Sequence, residues 1–150
     1  DLYFEPTVVK EGENQVVRFK FRPDTNQSFR NILFENIEMT SGIVFAIRPW
    51  ISRQDEVYGE DNPSLIENLT VRNVVAKNVI APGMILADPP LTVIKGLVLE
   101  NISIETAKEE LSLSRHDKYE EERSALKDKL EMENITSYVM HNVKVNGEEI

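Results

Sequence analysis

The sequence predicts an all-β protein: a parallel β-helix, or solenoid, of about four to five rungs, with one inserted surface α-helix near 114–130. Three observations carry this expectation. First, residues 29–39, FRNILFENIEM, return in altered form at 66–76 (IENLTVRNVVA), 94–104 (IKGLVLENISI) and 135–145 (ITSYVMHNVKV). A repeat is read before anything else, because it sets the architecture. Second, alternate places within the copies are apolar, which is the period of a strand with one buried face. Third, the alternation breaks at the same place in every copy, at Asn36, Asn73, Asn101 and Asn142. A fixed asparagine there implies a bend, its side chain bonding to backbone or to the asparagine one layer away. This column reads as structural rather than functional.

The remaining elements follow in chain order. Residues 2–9 and 15–21 read as two strands around the turn EGEN at 11–14, and RPDTNQS at 22–28 is a polar turn. After the first repeat the chain turns at Thr40, Ser41 and Gly42, and a second strand is expected at 43–47. Its counterpart is expected at 84–87, introduced by Pro82 and Gly83. Pro49 and Pro89-Pro90 stop these second strands at equivalent places. Residues 48–64, RPWISRQDEVYGEDNPS, form a long loop with the only tryptophan, Trp50, and with Arg48, Arg53, Tyr58, Asp55, Glu56, Glu60 and Asp61. Loops of this length are often functional; the plainer reading is that Trp50 caps the core and the charges are solvated. Residues 107–131 change character: charge is dense and Pro and Gly are absent. Tyr119, Leu126 and Leu130 share a helical stripe, and Ser114 with Asp117 resembles a capping box. This predicts a charged surface helix inserted between the third and fourth repeats, where the asparagine column takes its widest step.

Composition narrows the function classes. The chain has 150 residues, no Cys, and a net charge of −9 from 26 acidic and 17 basic residues. One domain with a sizeable core fits this length. The acidic balance disfavours a nucleic-acid partner, which needs clustered Lys and Arg. No stretch approaches the roughly 18 apolar residues of a membrane span, and no signal peptide opens the chain. Disulfides and cysteine-based metal sites are excluded. The first residue is not Met, and nothing caps the first strands, whereas the final rung ends at Val145-Asn146-Gly147 and a polar Glu148-Glu149. Both facts suggest missing upstream rungs or a partner chain, because an uncovered β-helix end exposes strand edges and core.

Motifs for catalysis are sparse. His141 occupies an outward place that Glu35, Arg72 and Glu100 hold in the other copies, and His116 falls in the charged segment. Neither belongs to a nucleophile motif or to a metal-ligand spacing, so no metal and no cofactor is expected. Glycoside chemistry needs two facing carboxylates. Asp55, Glu60, Asp61 and Asp88 lie near expected rung edges, and nothing selects a pair. Calcium held by Asp55, Glu60 and Asp61 is compatible by ligand type but matches no known loop spacing. Formal glycosylation sequons begin at Asn26, Asn68, Asn101 and Asn134; two arise from the repeat itself.

FRNILFENIEM followed by GIVFAIRPW, then LIENLTVRNVVAKNVIAPGMI and IKGLVLENISIE, resembles the C-terminal rungs of glycoside hydrolase family 28, the polygalacturonase-like pectinases. The resemblance runs over about half the chain, residues 31–104. It implies a right-handed parallel β-helix and an enzyme acting on pectin-type, uronic acid-containing polysaccharide of cell walls, in an extracellular or periplasmic setting. The family's catalytic set, an NTD element, an Asp pair, a GHG and an RIK element, is absent here; Ile47-Arg48-Pro49 only echoes the last. No catalytic residue carries over. In that family those elements precede the matched rungs, so the resemblance implies the C-terminal part of a longer enzyme, its partners being the polysaccharide and the upstream rungs. Arg48, Trp50 and Arg53 are the expected substrate contacts, since Trp stacks on sugar faces and Arg pairs with uronate carboxylates. The alternative is a non-catalytic β-helix module for carbohydrate binding or assembly, as in tailspikes or adhesins. A calcium-dependent lyase is a third option.

Overall fold

The structure, a computed structural model, describes residues 2–4, 7–9, 15–21, 26–49, 63–108 and 128–150. The alternating repeat builds strands, and the four copies become β4 (Ser28–Met39), β6 (Ser64–Val79), β8 (Thr92–Thr106) and β10 (Tyr138–Val145). They lie side by side, parallel and in register. Ile32, Leu69, Leu97 and Tyr138 form one column and Phe34, Val71, Leu99 and Met140 the next. β1 (Leu2–Phe4) and β2 (Thr7–Val9) pair with successive parts of β4, and β11 (Glu148–Glu149) folds back antiparallel on the end of β10. The order in this sheet is β1-β4-β6-β8-β10-β11.

A second sheet holds β3 (Gln15–Phe21), β5 (Ile43–Pro49), β7 (Ala81–Leu86) and β9 (Glu131–Glu133) in that order, all parallel. From β2 to β10 the chain passes alternately from one sheet to the other. One hydrophobic cluster joins the sheets. Ile66, Leu69, Leu97 and Leu99 from the first meet Phe45, Ile47 and Ile85 from the second, and none of these side chains is exposed. Phe19 sets its ring edge-on to Phe29 and Phe34, with centroids 5.3 and 6.3 Å away, beside the same cluster.

Every asparagine among the described residues has a positive φ. At Asn36, Asn73, Asn101 and Asn142 the values run from 52° to 57°. Asparagine tolerates this left-handed conformation better than other residues with a Cβ. Each asparagine therefore bends its strand without ending it, which is why β6 and β8 are so long. Gly83 differs from its expected place in a turn. It lies inside β7, opposite Phe45, with φ of +99°; a Cβ there would meet the Phe45 carbonyl oxygen at 1.9 Å. Close approach of two backbones, rather than a turn, requires this glycine.

The described residues contain no helix. Of the helix expected near 114–130, residues 114–127 lie outside the described residues. At the expected C-terminal end the helix does not extend over residues 128–130: Asp128 is in a turn, Leu130 is buried in the core, and Glu131 opens β9. Parallel pairing of Glu131 with Met84 and burial of Leu130 decide the local conformation there. A three-residue strand offers too little alternation to be seen in advance.

Candidate functional site

The outward faces of the two sheets carry the polar chemistry. On the first sheet, like residues stack layer on layer. Asn73 donates to Asn36 Oδ1 at 3.1 Å, Asn101 to Asn73 Oδ1 at 3.4 Å and Asn142 to Asn101 Oδ1 at 3.0 Å. Of the two bonding options the sequence left open, the ladder between layers is the one used. A second ladder stands five places earlier: Asn68 donates to Asn31 Oδ1 at 3.1 Å, and the Gly96 N–H donates to Ser137 Oγ at 2.8 Å. The Asn68, Asn101 and Asn134 amide nitrogens, which glycosylation would use, all donate within the fold, Asn134 to the Ala87 carbonyl at 3.0 Å. The sequons at Asn68 and Asn101 thus read as products of the repeat.

Beside the ladders run columns of alternating charge. Arg30 meets Glu67 at 3.2 Å and Lys95 meets Glu67 at 2.8 Å. In the next column Arg72 meets Glu35 at 2.6 Å, with a second contact through Nε at 2.7 Å. The Lys95 hydrogen bond, aided by the charges of Lys95 and Arg30 and opposed by desolvation, holds the Glu67 carboxyl below its usual value. This alternation is legible in the aligned copies as charge inversion down a column. His141 ends the second of these columns, exposed and paired in register with Glu100.

The expected substrate contacts belong to the second sheet. Arg48 lies near the end of β5, half-buried, its backbone paired with Lys20 of β3. Trp50 and Arg53 lie outside the described residues, so Arg48 is the one of the three that the structure places. Its surroundings include a column that runs Arg18, Ala46, Met84 and Glu131 across the sheet. Arg18 is exposed and the other three are half-buried. This face is basic toward β3 and β5, apolar in the middle, and acidic toward β9. Alignment of the long copies could not reveal Arg18, because it belongs to the shorter strands, whose register only the pairing sets.

The Arg guanidinium offers a planar fork of donors suited to a carboxylate, and Met84 and Ala46 place apolar surface beside it. Among the described residues no group of three or more His, Asp or Glu side chains could hold a metal ion. Of the acids left open by the sequence, Asp55, Glu60 and Asp61 lie outside the described residues. Asp88 is a turn residue: its N–H donates to Thr92 Oγ1 at 2.7 Å, and its carbonyl accepts from the Leu91 and Thr92 N–H groups. His116 lies outside the described residues. No helix among the described residues is long and apolar enough to cross a membrane. No family model, no curated protein and no solved structure matches this chain.

Proposed function

We propose that the chain is the C-terminal section of a right-handed parallel β-helix of the polygalacturonase-like type, and that it lines one end of a groove for uronic acid-containing polysaccharide. The observation that carries this reading is the strand-by-strand passage between two parallel sheets with an unbroken asparagine ladder through β4, β6, β8 and β10. That is the arrangement a β-helix coil requires, and the motif match made from the sequence lies on the same strands. The hydrolytic carboxylates of the longer enzyme stand in upstream layers. This section contributes cationic contacts, with Arg48 as the central one and Trp50 and Arg53 following it in the chain.

Titration of the 150-residue chain with a short oligogalacturonate, followed by backbone NMR, tests this. The expected result is shifts centred on Ala46, Arg48 and Met84, no hydrolysis, and binding about tenfold weaker in Arg48→Ala, the loss of a charge-assisted pair. In the longer enzyme, Trp50→Ala raises the Michaelis constant. An oligogalacturonate that leaves the second sheet undisturbed sinks the pectinase reading and leaves the non-catalytic assembly module.

A further inference from the structure

The last strand of the first sheet has an edge that no described residue covers. β11 pairs only with Lys144 and Val145, and the Ile150 N–H reaches the Val143 carbonyl at 3.1 Å. From Tyr138 to Asn142 no described strand lies beyond β10. One exposed side chain there is in the wrong place for a finished core. Tyr138 continues the column of Ile32, Leu69 and Leu97, which are 0–3% exposed, yet Tyr138 itself is 55% exposed. Val139 beside it is 59% exposed.

The hydrogen-bonding groups on this edge point the same way. The Leu97 N–H donates to the Ser137 carbonyl at 3.0 Å. In a parallel ladder the bonds alternate along the strand, so Tyr138 and Met140 direct their N–H and C=O groups to the open side. The asparagine ladder also has a polarity. Each Nδ2 donates to the Oδ1 of the layer before, so Asn142 gives its Nδ2 to Asn101 and its Oδ1 has no donor among the described residues. Among those residues, His141 and Lys144 carry no ion pair on the outward side of β10.

We infer that residues 138–142 are a docking edge for one extended segment of a partner protein, added parallel to β10 and carrying the pattern apolar–x–apolar–acidic–Asn. Each place in the pattern follows from what it meets. The apolar residues continue the Tyr138 and Met140 columns. The acid faces His141, as Glu100 faces it from the other side, and lies near Lys144. The asparagine supplies the Nδ2 that Asn142 Oδ1 lacks. Strand addition of this kind draws affinity from main-chain bonds and specificity from alternate side chains. The inference is independent of the saccharide groove, which lies on the other sheet.

This chain's own layers give the probe: a synthetic peptide with the sequence of residues 29–36, FRNILFEN, whose Ile32, Phe34, Glu35 and Asn36 fall on Tyr138, Met140, His141 and Asn142 in the same register. The measurement is hydrogen exchange of the Tyr138 and Met140 amides in the 150-residue chain, with and without peptide. Fast exchange alone and at least tenfold slowing with peptide is the expected result. A peptide with Asn36→Asp, which keeps the shape and loses the donor, binds about fivefold more weakly, and Glu35→Lys weakens binding about threefold. Three outcomes overturn the proposal: slow exchange of both amides without peptide, since the chain then covers its own edge; no protection by peptide; and a light-scattering mass of a dimer or larger, since the occupant is then a second copy.

Discussion

From Val143 onward β10 is covered by β11, and from Tyr138 to Asn142 it is bare among the described residues. The consequence is read in the side chains. Val143 and Val145 are 1% and 4% exposed, while Tyr138, at an equivalent inward place of the same strand, is 55% exposed. Sequence pattern made both halves alike, with apolar residues at alternate positions. What separates them is the next layer. An inward side chain in a layered sheet is buried by the strand above and the strand below, and among the described residues the open half of β10 has only one of these. The interior layers and this end layer therefore share a residue code and differ in energy.

The largest expected contrast lies in the column itself. Leu97→Ala costs about 4 kcal/mol, because the cavity is closed on both sides, whereas Tyr138→Ala costs about 1 kcal/mol. Urea midpoints of the two variants measure this. Equal costs break the comparison and mean that Tyr138 is covered in solution. The glycines sharpen it next. Gly83→Ala forces a Cβ against the Phe45 carbonyl and strains a φ of +99°, for about 3 kcal/mol. Gly147→Ala, in the terminal turn with φ of +84° and no atom within 4 Å, bears only the backbone strain, about 1 kcal/mol. Thermal melts of both variants give the difference.

The ladder comes third. Asn73 is bonded on both sides and Asn142 on one. Each alanine variant incurs the left-handed backbone cost, and Asn73→Ala loses one bond more, so it is the more destabilising by about 1 kcal/mol. If the two cost the same, the ladder bonds contribute nothing and the asparagines serve only the bend. The smallest effect concerns charge. The folded-state pKa of Glu67 is lowered from 4.5 by Lys95 and Arg30. Its contribution is present above the unfolded value and is lost as pH falls from 4.5 through the lowered folded value. Glu67→Gln should flatten that part of the stability–pH curve, the difference shrinking in high salt because the pairs are at the surface.

Much of this was legible before the fold was known. The four aligned copies gave the long strands, their buried columns and the bend at each asparagine, because strand period and the left-handed tolerance of asparagine are local properties. The short strands were less legible. β7 starts at Ala81, ahead of its expected place, because Gly83 answers to the Phe45 backbone and not to a turn. β9 was hidden in a charged stretch that reads as helix, and Leu130, apparently a stripe residue, is core. On the candidate face, Arg48 was visible by type and position, but Arg18 was not, since nothing in the sequence brings residues 18, 46, 84 and 131 into one column.

The sequence by itself determined that the repeats are β-strands, which side chains face inward in them, and where each long strand bends. Those follow from period-two alternation and from the conformational preference of single residues. Only the tertiary structure decided how the layers stack, which strands are short, and that, among the described residues, one end of the first sheet is half covered. Burial and hydrogen-bond satisfaction in a layered sheet depend on the neighbouring layer, and that neighbour is set by contacts between residues far apart in the chain.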